Sequence, residues 1–205
     1  MAIKIFVFGF PKSGKTTHML KNIAEHQFQC SYIDLEGGTK FLQKNYKDCK
    51  NLTFLQSSKE IKEKTQMIVL DSITKAQTLC DSVVAKNNDV QDISEIPYGK
   101  GTKLSSSMLV ESLAKLDIAA DIFIVVGHCS IQVLQKEKGA VSVKSIKLHT
   151  PTLDYVATEF DCIAYFENET VHFSKDKGTK IAGCRFLSET NVKINDFFKK
   201  VKELI

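Results

Sequence analysis

The sequence predicts an α/β domain with a mostly parallel central sheet, helices on both faces and an antiparallel meander towards the C-terminus. Three observations predict it. Short β-branched or aromatic runs alternate with segments of helical period. The first five runs are almost continuously apolar, as parallel strands covered on both faces require, whereas the later ones alternate polar with apolar residues, as antiparallel edge strands do. A chain of 205 residues, 43% of them hydrophobic, can bury one sizeable core, so residues 1–205 read as a single domain.

Taken in order, the strands are "IKIFVF" (3–8), "CSYIDL" (30–35), "LTFL" (52–55), "MIVLD" (67–71), "IFIVVGH" (122–128), "IKLH" (146–149), "CIAYF" (162–166), "TVHFS" (170–174) and "AGCRFL" (182–187). Helical spacing predicts helices over 16–28, 73–86 and 105–120, the last with Leu109, Leu113 and Leu116 on one stripe. At the end Ile194, Phe197, Phe198, Val201, Leu204 and Ile205 recur at the same spacing, and Asn195 is placed to cap. Residues 87–103 and 129–150 read as long loops, which in compact domains are usually functional.

The opening run is too short for a membrane span, which takes about 18 apolar residues, and no cleavage site follows it. A cytoplasmic protein with no membrane partner is expected. Six cysteines without a C-x-x-C pair suggest neither a zinc site nor a thioredoxin motif, and are read as reduced, mostly buried thiols. The net charge of +4 tilts the chain towards an anionic partner without marking it as a nucleic-acid binder. Arg185 is the sole arginine, so phosphate contacts must come chiefly from lysine, as point charges.

Between the first strand and the first helix lies "GFPKSGKTT". Gly9, Gly14, Lys15 and Thr16 satisfy G-x-x-x-x-G-K-S/T in the strand–loop–helix context that this motif needs. Gly9, Pro11, Lys12, Ser13 and Gly14 form a loop whose backbone N–H groups can converge on phosphate oxygens, at the positive end of the helix that follows. Lys15 would reach the β- and γ-phosphates, Thr16 would place its hydroxyl on Mg²⁺, and Thr17 would lie towards the α-phosphate. Asp71, after four apolar residues, would hold the hydrated Mg²⁺ from a strand expected beside the first one. These residues predict ATP and Mg²⁺ as the ligands.

With "SYIDLEGG" added, the chain resembles the RecA-like branch of P-loop ATPases. In that branch a glutamate after the second core strand activates the attacking water. Glu36 stands at that position, with Asp34 as the alternative base. His128, ending "DIFIVVGH", corresponds to the polar residue that senses the γ-phosphate. Lys175 and Lys177 show the Lys-x-Lys spacing that reaches a neighbouring subunit's nucleotide in RecA-type filaments. The set "GFPKSGKTT", "YIDLEGG", "VLDSITKAQ", "PYGKG" and "VVGHCS" is similar to that of phage-encoded single-domain RecA-like ATPases of strand annealing and recombination. The resemblance implies hydrolysis of ATP, action on single-stranded DNA within a bacterial host cell, and self-association into a ring or filament.

Such proteins pass single-stranded DNA along two loops, here 87–103 and 129–150. The first carries Tyr98, Lys100 and Lys103, but with Lys86 its lysines are cancelled by Asp89, Asp92 and Glu95. The second carries Lys136, Lys138, Lys144 and Lys147 against Glu137 alone, and is the stronger phosphate-tracking candidate. Two other readings stand beside the DNA-coupled ATPase: a nucleoside or nucleotide kinase, poorly served by a single arginine, and a slow nucleotide-dependent switch that binds protein.

Overall fold

A computed structural model of the protein describes residues 2–136, 139–174 and 181–205, without the side chains of 133–136 and 139–143. The first half runs β1 (Ile3–Gly9), α1 (Lys15–Glu25), β2 (Cys30–Asp34), α2 (Gln43–Tyr46), β3 (Leu52–Leu55), β4 (Thr65–Asp71) and α3 (Ile73–Asn87). It continues with α4 (Lys100–Asp117), β5 (Ala120–Lys136), β6 (Gly139–Ile146), α5 (Thr150–Glu159), β7 (Cys162–Glu167), β8 (Thr170–His172), β9 (Gly183–Cys184), β10 (Asn191–Lys193) and α6 (Ile194–Lys202).

Six strands are parallel, in the order β7-β1-β5-β4-β2-β3, and β8, β9 and β10 add the antiparallel part beyond β7. The alternation of β1 explains the layers. Ile5 and Val7 face one core with Met19, Leu20 and Ile23 of α1 and Phe197, Phe198 and Val201 of α6. Phe6 and Phe8 face the other, with Leu109, Leu113 and Leu116 of α4 and Val156 of α5. Each such side chain, fully buried, contributes about 1.5–3 kcal/mol. The fold class read from the sequence is the one observed.

Several boundaries differ. The stretch 129–150 is not a loop: β5 runs on past His128, and β6 returns antiparallel to it, from Cys129 opposite Ile146 to Lys136 opposite Gly139. Ile146 ends that ribbon, so "IKLH" is no strand, and α5 follows where no helix was expected. The loop after α3 is shorter than predicted because α4 starts at Lys100 rather than at 105. "AGCRFL" shrinks to the two residues of β9, and β10 was not anticipated. Lys193, not Asn195, precedes α6, and Asn195 instead accepts a hydrogen bond from His26 at 2.9 Å. Leu204 and Ile205 lie beyond α6 and are exposed. Among the described residues no helix is long and apolar enough to cross a membrane, and no group of three His, Cys, Asp or Glu is placed to hold a metal ion.

Candidate active site

Parallel strands bring their carboxyl ends to one edge, where α/β sheets form ligand crevices. Register decides what meets there: Gly9 stands opposite His128, and Asp34 opposite Asp71. The strand carrying Asp71 is not beside β1, as the sequence had suggested, because β5 lies between β1 and β4. That insertion is what places His128 between the phosphate-type loop and Asp71.

The loop from β1 to α1 has the backbone its sequence requires. A Cβ on Gly9 would come within 2.7 Å of the Phe166 carbonyl oxygen, so only glycine fits. Gly14 precedes α1 with φ of 87° and supplies no side-chain cap, which leaves the first N–H groups of the helix to the loop. Pro11, Lys12 and Thr17 are exposed, and Ser13 is partly buried. Lys15 is only 4% exposed, and its ammonium donates to the carbonyls of Gly9 (3.1 Å) and Phe10 (2.7 Å) and to Ser13 Oγ (3.4 Å). Burial lowers its pKa, opposed chiefly by the negative charge of Asp71 and also by that of Glu36.

Thr16 Oγ1 donates to Asp71 Oδ2 at 2.6 Å, and the buried Tyr32 hydroxyl donates to the same oxygen at 2.7 Å. Burial raises the pKa of Asp71, and the two hydroxyl bonds pull the other way. A hydroxyl and one carboxylate in contact suit Mg²⁺, which takes few protein oxygens and keeps water and phosphate for the rest. The Asp71–Ser72 peptide is cis.

Glu36 lies across this crevice. Both its carboxylate oxygens are 2.9 Å from His128 Nε2, and Ser72 Oγ donates to Oε1. A carboxylate only accepts, so Nε2 carries the proton and His128 donates. That bond, first, and the Ser72 bond hold the Glu36 carboxyl below its ordinary range against the effect of burial. His128 is fixed from behind, since its backbone N–H donates to Thr74 Oγ1 at 3.1 Å, and its ring Nδ1 is buried with no hydrogen-bond partner. Asp34, the alternative base, is occupied otherwise. It accepts from the N–H groups of Glu36, Gly37, Gly38 and Thr39 and from the Thr39 hydroxyl, between 2.6 and 3.2 Å. Five donors fill its acceptor capacity. Asp34 shapes the turn that presents Glu36.

Tyr32, Ser72 and Thr74 were not singled out in the sequence. Ser72 and Thr74 follow Asp71 at the start of α3, and that adjacency was the available signal; Tyr32 shares a face of β2 with Asp34. The other predicted residues are dispersed. Tyr98 is 94% exposed, and Lys100 and Lys103 are exposed on the first turn of α4. Lys144 of β6 stacks its ammonium 3.7 Å above the Tyr165 ring, and Lys147 is exposed. Lys136 lies on β5 with an undescribed side chain, while Lys138, Lys175 and Lys177 lie outside the described residues. Arg185 pairs with Asp161 at 3.1 Å and donates to the Thr158 carbonyl, near the amino end of β7.

A glycine-lysine loop joining strand to helix, with a carboxylate two strands away and a polar strand end between them, defines the class: a P-loop ATPase fold. The family model for the AAA domain matches residues 1–193, and the chain belongs to that family. Among solved structures, the crystal structure of the RadB recombinase matches with 16% identity and a TM-score of 0.46, over 82% of this chain and 78% of that one. No curated protein matches.

Proposed function

We propose that this chain, acting as one domain, is a magnesium-dependent ATPase of RecA-like type that works on single-stranded DNA in strand annealing or recombination of the phage kind. The observation that carries the reading is the gathering of Lys15, Thr16, Asp71, Glu36 and His128 at one edge of the sheet, with Thr16 bonded to Asp71 at 2.6 Å and His128 to Glu36 at 2.9 Å. Lys15 exchanges its neutral carbonyl acceptors for the charged oxygens of the β- and γ-phosphates, a stronger class of hydrogen bond. Thr16 and, through water, Asp71 would hold Mg²⁺, which would neutralise phosphate charge. Glu36, ionised by its bond from His128, takes the proton of the attacking water. His128 senses the γ-phosphate because its imidazole holds Glu36 while its backbone N–H is tied through Thr74 to the start of α3.

DNA is assigned to the exposed Tyr98, Lys100, Lys103 and Lys147, with Lys136, Lys138 and Lys144 of the ribbon region, and Lys175 and Lys177 to the nucleotide of a neighbouring copy in a ring or filament. Support for DNA is the lysine excess about the ribbon, and for ATPase over kinase chemistry it is the position of Arg185, whose guanidinium is committed to Asp161 and Thr158.

Phosphate release from Mg-ATP, measured with and without single-stranded DNA and beside a nucleoside acceptor, tests the reading. DNA should accelerate release, with an effect that weakens as salt rises. Label appearing on the nucleoside would make the chain a kinase, and slow release indifferent to DNA would make it a switch. Lys15→Ala should weaken Mg-ATP binding at least about 100-fold by calorimetry, the loss expected for several charge-assisted bonds.

A further inference from the structure

Two cysteines far apart in sequence are cross-strand neighbours. β7 and β9 run antiparallel with Cys162 opposite Cys184 and Ile163 opposite Gly183. The Arg185 N–H donates to the Asp161 carbonyl at 2.8 Å, which makes 161 and 185 a hydrogen-bonded pair. By the alternation of antiparallel ladders the next pair, Cys162 with Cys184, is the non-hydrogen-bonded kind, whose Cα atoms sit about 4.5 Å apart with side chains close. A disulfide accepts Cα separations of roughly 4.4–6.8 Å, so the bond needs little movement of the chain. Arg185 further fastens this edge through Asp161 and the Thr158 carbonyl. The neighbouring Cys162 thiol lowers the pKa of Cys184.

We propose that Cys162 and Cys184 are a dithiol modification site that closes reversibly to a disulfide by exchange with a small-molecule disulfide of the glutathione class. The two thiols divide the work. Cys184 is partly exposed, and the adjacent Cys162 thiol favours its thiolate, so it is the attacking sulfur. Cys162 is fully buried and waits behind it. In the first step the Cys184 thiolate attacks one sulfur of the oxidised reagent, its S–S bond breaks, and one thiolate leaves. In the second the Cys162 sulfur attacks Cys184 in the mixed disulfide, its proton passes to the departing thiolate, and a second thiol leaves. The protein is oxidised by two electrons and the reagent is reduced to two thiols. The closed bond ties β9 to the strand beside β1 and encloses residues 163–183, Lys175 and Lys177 among them. It does not rest on the nucleotide reading.

The test uses the folded, reduced full chain, treated with oxidised glutathione, quenched, unfolded, alkylated, and mapped by mass spectrometry without reduction. Two of the six thiols should escape alkylation, in a Cys162–Cys184 peptide pair two hydrogens lighter than its parts, and dithiothreitol should restore them. Cys162→Ser should retain one glutathione on Cys184, and Cys184→Ser should leave Cys162 alkylatable once the protein is unfolded after quenching. Six alkylated thiols in the oxidised parent, or cross-links spread over the other cysteines, would overturn the proposal. The parent chain alone decides it should either variant fail to fold.

Discussion

Two histidine–carboxylate pairs hang on the same helix, α3, and they differ in what surrounds them. At its start, Ser72 and Thr74 hold Glu36 and His128, which meet at 2.9 Å. Nine residues on, about 13 Å along the axis, Asp81 meets His149 at 2.9 Å as well. Asp81 also accepts from Ser105 of α4, while Gln77 donates to Ser105 at 2.8 Å and accepts from Thr152 of α5 at 2.7 Å. The second cluster is closed: its members satisfy one another and clamp three helices. Ser105 and His149 both point at the same carboxylate oxygen, so the imidazole is no base for the serine. The first cluster is open. His128 Nδ1 is buried without a partner, and the charge of Lys15 bears on Glu36. Identical pair chemistry thus becomes a candidate catalytic device or a clasp according to whether its hydrogen bonds close on themselves.

The largest expected effect separates the two directly. Glu36→Gln keeps the shape and the bonds from the neighbours' side but removes the base, so kcat for ATP should fall by about 10²–10⁴-fold with Mg-ATP affinity little changed. Single-turnover phosphate release beside a binding isotherm measures both. If the variant turns over at the parent rate, the open cluster is no more catalytic than the closed one.

A smaller effect concerns pH. The bond from His128 is the chief reason that the Glu36 carboxyl lies low, with Ser72 adding to it and burial opposing. A base that must be ionised then keeps its activity to lower pH than an ordinary glutamate would. His128→Ala removes the chief cause, so the acid limb of kcat/KM should move to higher pH, whatever happens to the maximal rate. The stability linkage has the same sign. A carboxyl with a depressed folded pKa stabilises the fold above its unfolded pKa, and that contribution fades as pH falls through the folded value. In the variant the contribution should be smaller and its loss complete at higher pH, though modestly, because the Glu36 side chain is 35% exposed. An unmoved acid limb would mean that the imidazole does not set the protonation of Glu36.

The open cluster was largely legible in the sequence and the closed one was not, for a physical reason. Gly9 to Thr16 is a local signal, and Asp71, Glu36 and His128 each stand at or just after the end of an apolar run, so parallel register alone gathers them. The closed cluster depends on Gln77, Asp81, Ser105, His149 and Thr152 meeting across three helices, one of which, α5, was missed. Pro151 in its first turn was the available marker, since proline is tolerated there. The ribbon of β5 and β6 escaped notice because it pairs outside the parallel sheet, where "CSIQVLQK" and "GAVSVKSI" mix polar with apolar residues and lack the continuous apolar signal of a covered strand. Tyr32 was hidden differently: its ring reads as core, and only the fold reveals its hydroxyl on Asp71.

The smallest effect on catalysis, and the one that sharpens the contrast, belongs to Asp81→Ala. It leaves the donors of Ser105 and His149 without their carboxylate, a loss of about 1–3 kcal/mol. Asp81 and His149 side chains are each 28% exposed, so water can replace part of what is lost and the lower half of that range is expected. In a chain of this size each kcal/mol lowers Tm by roughly 2–4 °C. ATP turnover by the folded variant should stay within about twofold of the parent, because the bonds of the closed cluster run among Gln77, Asp81, Ser105, His149 and Thr152. Thermal unfolding and turnover measured on the same sample decide the matter. A collapse of turnover in a well-folded variant would show that α3 carries information from one cluster to the other, and the clasp would then be part of the engine.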